Sequence, residues 1–249
     1  GGATALTIDS SQNATFAGDV NVSNLLGVQV LQGNTCTASG SQSTALGILN
    51  TATGSASLAA GFQSDATSDY SIAMGQDANA SGTNGSVAIG YSNCDSTGEN
   101  SVAIGYSAEA TGKYSIAMGL SNSEGQSSFS ACAATTASGW GSASFGIGTK
   151  AGNSGCTAVG YYNDSGTTTN PNETFDLTGV AFVVGNGDSI TPSDAFVVGF
   201  DGNASVQGNL EVGGNVSLES GKGMVLSSPD GTQYKITVAN DGTLTSTAV

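Results

Sequence analysis

The residues of this chain with the most chemical reach are its four cysteines, Cys36, Cys94, Cys132 and Cys156, and its 19 carboxylates. Thiols can pair or hold zinc, but the chain has no histidine and no CxxC pair, the usual company of a zinc site. Two carboxylates flanking a glycosidic bond can hydrolyse it, and acids mixed with Asn and Gly in turns can hold Ca²⁺. Asp65, Asp77, Asp95, Glu109 and Asp164 are examples, yet they fall on regular, solvated positions. No arginine is present to grip an acidic sugar, and no calcium-binding loop pattern occurs. The expectation is therefore no catalytic residue, no bound cofactor and no metal site.

Composition narrows the remaining classes. The chain has 249 residues and a mass of 24.2 kDa, and charged residues are 9% of it, against about 25% in ordinary domains. The net charge is −15, and the only cations are Lys113, Lys150, Lys222 and Lys235. Such a chain lacks the basic footprint of a nucleic-acid binder and the Lys/Arg supply for an anionic membrane surface. No apolar run approaches the ~18–20 residues that span a bilayer. The start, Gly1-Gly2-Ala3, reads as the edge of an excised fragment.

What must position these residues is a repeat. A unit of the form small-Φ-small-Φ-Gly recurs as Ser43–Gly47, Ser57–Gly61, Ser71–Gly75, Ser86–Gly90, Ser101–Gly105 and Ser115–Gly119. A degenerate copy, Ser128–Cys132, and two later ones, Ser144–Gly148 and Cys156–Gly160, extend the series. The terminal residues lie 12 to 16 positions apart, a solenoid period. Between them runs a weaker alternation of small residues, as in Cys36-x-Ala38-x-Gly40 and Ala108-x-Ala110-x-Gly112. Period-two alternation between Gly-rich joints predicts two short strands per coil.

Side-chain size assigns the faces. Asn79, Asp95 and Glu109 need water, so the Ala/Ser/Cys side of the second strand faces the coil interior. An interior walled by Ala is narrow, so the opposite wall is also small, which turns Ser101 and Ala103 inward and Val102 and Ile104 outward. Stacked at ~4.8 Å per coil, the outward residues make an apolar stripe about 40 Å long, which a monomer does not leave in water. The expected interface residues are Leu46, Leu58, Ile72, Met74, Val87, Ile89, Val102, Ile104, Ile116, Met118, Phe145, Ile147 and Val159. One stripe per chain points to cyclic closure. All four cysteines are expected as unpaired fillers at small interior positions, because Cys36 and Cys94 share a column but lie roughly 19 Å apart.

The stretch Asn100-Ser101-Val102-Ala103-Ile104-Gly105-Tyr106-Ser107-Ala108-Glu109-Ala110-Thr111-Gly112 resembles the head repeat of YadA-type trimeric autotransporter adhesins. The resemblance covers roughly 33–160. It implies an all-β homotrimer of left-handed parallel β-rolls with the Val/Ile stripe at the three-fold axis.

The flanks are related to each other. Asn13–Val22 aligns with Asn203–Val212, and Leu6 and Ile8 match Phe196 and Val198 at the same offset of 190. Phrases such as Gly208-Asn209-Leu210-Glu211-Val212 resemble the shafts of trimeric bacteriophage tail fibres, and Ser228–Val238 resembles the terminal portions of such fibres. The organisation this implies is an N-terminal β shaft module over 1–32, a β-roll of ~14-residue coils over 33–160 and a loop insertion at 161–180. Wider coils and a second, β-prism-like or triple-β-helix shaft module would follow over 181–220, and a C-terminal β-hairpin segment over 221–249. Ala181–Gly185 and Ala195–Gly199, fourteen apart, are read as those wider coils.

The functional expectation is a structural and host-attachment protein without catalysis. The leading context is a virion appendage, a tail-fibre-like homotrimer that meets neighbouring fibre or virion proteins. A fragment of a bacterial surface adhesin is the alternative, and a glycan depolymerase a remote third. The partner would be a host cell-surface glycan or protein receptor. The period-breaking loop from Tyr161 to Asn172 supplies the candidate contacts Tyr161, Tyr162, Asn163 and Asp164.

Overall fold

The computed structural model describes residues 6–8, 14–16, 30–166 and 176–249, with only the backbone of those before 35. Among the described residues there is no helix. Two compact units divide the chain at 207/208.

The first unit is a parallel β-roll of about nine turns. Each first strand pairs in parallel with the next, in unbroken columns. Val87 stands opposite Val102, Ala88 opposite Ala103, Ile89 opposite Ile104 and Gly90 opposite Gly105. The same columns run back to Val30–Asn34 and forward to Val180–Asn186. Second strands stack likewise, Asp95 against Glu109 and Ser96 against Ala110. Between the ladders the corners are also hydrogen-bonded, as where Val102 N donates to the Ser115 carbonyl at 2.9 Å.

The core is built from small residues, as the sequence demands. Ala45, Ala59, Ala73, Ala88, Ala103 and Ala117 form one wall and Ala52, Ala66, Ala80 and Ala110 the other, all fully buried. Serines fill the corners: the Ser101 hydroxyl donates to the Gly98 carbonyl at 2.8 Å and meets the Ser96 hydroxyl at 2.7 Å. Buried polar groups that are hydrogen-bonded cost little, so a thin interior can be partly hydroxylic.

Glycine keeps the coils close. Gly75 has φ +131°, and a Cβ there would lie 1.8 Å from the Gly90 carbonyl oxygen. Many other corners turn through positive φ without glycine, among them Tyr70, Asn100 and Tyr114 at φ 58°, 53° and 59°. The joints are thus less dependent on glycine than the sequence pattern suggests, because the stacked hydrogen bonds hold these conformations.

The end of the roll departs from expectation. Val180–Asn186 is still a parallel coil strand, but Asp194–Gly199 runs antiparallel to it, with Val183 opposite Val197. The second of the two expected wider coils is therefore a hairpin arm. The chain reverses at 187–193, where the Asp188 carboxylate accepts the Ile190 and Thr191 amides, both at 2.8 Å. Ala204–Val206 then pairs antiparallel with Asp194–Gly199, Phe196 opposite Val206 and Val198 opposite Ala204. The first strands of the chain repeat this register at an offset of 190: Leu6 lies opposite Phe16 and Ile8 opposite Ala14. The sequence kinship of the two flanks is thus a structural one.

The second unit contains a three-stranded antiparallel sheet of Met224–Ser227, Gln233–Val238 and Leu244–Ala248.

Candidate functional site

Two outward columns of the first strands form the apolar stripe. One runs Leu58, Ile72, Val87, Val102, Ile116, Phe129; the other runs Ala60, Met74, Ile89, Ile104, Met118, Ala131. Residues of the second column keep much of their surface in water, Ile104 37% and Met118 41%. Leu46, Phe145 and Val159 continue that column toward the two ends. Size is conserved across the pair of columns at the flanks: Leu58 goes with Ala60, Phe129 with Ala131, and Phe145 with Ala143. Phe129 and Phe145 meet edge to face at 5.1 Å. Such trading keeps an even surface, which a packed partner needs.

Two positions differ from the sequence-based set. Ile147 belongs to the next column, beyond the glycine, between Ala133 and Tyr161. Phe129, which is not in that set, stands on the stripe against Ile116.

That third column carries Ile48, Phe62, Tyr91, Tyr106 and Tyr161. Tyr91 and Tyr106 stack at 5.9 Å, so at least these aromatics ladder between coils. Lys113 lies 4.9 Å over the Tyr114 ring and pairs with Glu99 at 2.8 Å.

The second strands present a polar column, Thr51, Asp65, Asn79, Asp95 and Glu109. Asp65, Asp77 and Asp95, with Asn79 and Asn93, line an open trough on this side. Partial burial pushes the Asp95 carboxyl up from its ordinary value, against a lowering hydrogen bond from Asn79. Asp65 and Asp95 are two coil steps apart, roughly 10 Å. Among the described residues no group of three or more Cys, Asp and Glu could hold a metal ion.

None of the four cysteines is in a disulfide. Cys94 and Cys156 are buried, and burial pushes Cys94 up and Cys156 up to about 12. Cys36 is half-buried, its Sγ 3.2 Å from the Gly47 carbonyl oxygen. Cys132 is exposed, contrary to the expected interior position. It occupies the glycine column at φ 97°, where strict alternation breaks and the side chain leaves the interior.

The four candidate contacts are not one loop. Tyr161 ends a strand and is exposed. Tyr162 lies across Gly148, leaving no space for a Cβ there. Asn163 is buried, and its amide is spent on Lys150 and Ser165. Contrary to the expected contact role, its polar groups are buried and satisfied within the chain. The Asp164 and Ser165 amides donate to the Asp194 carboxylate at 2.8 and 2.9 Å, which ties this corner to the terminal hairpin. Lys150, Tyr162, Asp164, Ser189 and Pro192 share one shallow pocket at the roll's end. The remainder of the expected loop, 167–172, lies outside the described residues.

Residues 38–64, 66–93 and 96–122 match the YadA head domain repeat (2 copies). No curated protein matches the chain. The parallel coils extend past the matched residues in both directions.

Proposed function

We propose that this chain, which matches YadA head repeats within 38–122, is the head segment of a homotrimeric adhesive fibre and is not an enzyme. The carrying observation is the outward column Met74, Ile89, Ile104 and Met118, aligned coil on coil and uncovered in the single chain. Burying each such side chain is worth ~1.5–3 kcal/mol, so three chains meeting along the stripe gain a continuous core that each lacks alone. Cyclic closure uses the one stripe per chain without leaving an edge.

Assembly consumes the stripe, and the Ala/Ser interior is closed. Recognition of a host-surface glycan or protein then falls to the polar outer column, the Tyr91–Tyr106 ladder and the corner at Tyr161, Tyr162 and Asp164. Such a surface binds weakly per coil and gains by multivalency. The head repeats favour a bacterial outer surface as the carrier. A virion appendage is the second reading, favoured by the same hairpin register on both sides of the roll, which suits a segmented shaft.

The test is attachment of the purified chain to cells and to immobilised glycans. Wild type binds without turning the glycan over. Ile104→Asp, which separates the chains, loses the avidity. Equal binding by a monomeric variant, or cleavage abolished by Asp95→Asn, contradicts the proposal.

A further inference from the structure

The sheet of the second unit has two unlike faces. Met224 stands opposite Ile236, Leu226 opposite Tyr234, and Val238 opposite Leu244. Alternation places these six on one side. The other side holds Val225 opposite Lys235, Lys235 opposite Thr247, and a hydroxyl pair, Thr237 and Thr245, at 2.8 Å. The first face is free of charge; the second carries the cation.

Nothing within the unit covers the apolar face. No residue of 208–249 is buried, and Val238 and Leu244 expose 67% and 70% of their surface. Val216 and Leu218 line a groove beside Met224, Ile236, Val238 and Leu244 without closing it. The backbone ladder is nonetheless complete, so the unit has strands and turns but lacks a core. An apolar sheet face left uncovered in this way marks a contact surface rather than a finished one.

We infer that this face is a second, separate trimer contact, in which three copies of the sheet turn Met224, Leu226, Tyr234, Ile236, Val238 and Leu244 toward a common axis. The inference rests on the homotrimer proposed above, because the roll's stripe then delivers three such faces to one another at high effective concentration. Exposure supports a like partner: Met224, Leu226, Val238 and Leu244 each leave about half or more of their surface uncovered, a contiguous apolar patch of the kind that marks a protein contact. The six residues of the face carry no charge, and the groove beside them adds one charge of each sign, Glu219 and Lys222, so the surface does not select a charged ligand, whereas it is complementary to itself. The covered prism would hold the chains in register independently of the roll.

Hydrogen exchange on the full chain, read together with its mass in solution, tests this. The expected result is a trimer whose Gln233–Val238 amides are protected. Protection is lost in Val238→Asp/Leu244→Asp and kept in Val225→Asp, which alters the opposite face. A trimer whose Gln233–Val238 amides exchange freely overturns the inference and leaves the roll trimer standing. Protection that survives Val238→Asp/Leu244→Asp means that something other than this face provides the cover, and overturns it too. A monomeric wild-type chain removes the homotrimer and this inference with it.

Discussion

The side chain of Asn163 pairs with the backbone of Lys150 as a strand would. Its Oδ1 accepts the Lys150 N–H at 2.8 Å, and its Nδ2 donates to the Lys150 carbonyl at 2.9 Å. Lys150–Ala151 is the last of the short second strands, pairing back on Thr136 and Ala137. Asn163 therefore finishes the ladder where the period breaks. Asn163→Ala removes both bonds to Lys150, at a cost of about 0.5–1.5 kcal/mol for each hydrogen bond lost. The expected outcome is a lower melting temperature with unchanged cell attachment. Lost attachment at unchanged stability would restore Asn163 as a contact residue.

Gly75 is a stricter test of the stack. A methyl group there meets the Gly90 carbonyl oxygen, and φ +131° is strained for any L side chain. Gly75→Ala should cost more than ~3 kcal/mol, the range reserved for a named structural conflict. Gly208→Ala, with nothing within 4 Å, should stay within about 0.5 kcal/mol. Chemical denaturation of the two variants measures the difference.

These two residues also mark how far the sequence could be read. The glycine column, the Ala wall and the outward Val102 and Ile104 followed from a period of about fourteen, because one coil's burial pattern is enforced on the next by the ladder. Where the period fails, so does the reading. Cys132 reads as interior only if alternation is carried through a residue at positive φ. Ala195–Gly199 repeats Ala181–Gly185 in composition, yet a reversing turn around Asp188 sets its direction, and composition carries no direction. Asn163 looked like a free polar group because its partner, Lys150, becomes a neighbour only through the fold.

Thiol reactivity separates the four cysteines. Cys132 should react with an alkylating reagent ahead of Cys94 and Cys156, whose thiols are buried and held protonated, Cys156 with its pKa near 12. The denatured chain should yield four thiols. Fewer than four, or Cys156 reacting first, would contradict the placement of the columns.

Asp95 gives a pH signature. Burial raises its pKa above the ordinary 3.8, so the folded state prefers the protonated form. Its favourable contribution is complete below pH 3.8 and is lost as pH rises through the higher folded value. Asp95→Asn should therefore be more stable than wild type at neutral pH, and the advantage should vanish in acid. Denaturation midpoints at pH 7 and pH 3 measure it; a variant less stable at pH 7 would contradict the sign.

The stripe itself is tested most directly by mass. Light scattering of the purified chain should give three times the chain mass of 24.2 kDa, and Ile104→Asp, placed among Ile89 and Met118, should weaken that association. A wild-type chain that stays at the mass of one protomer at micromolar concentration would contradict the account.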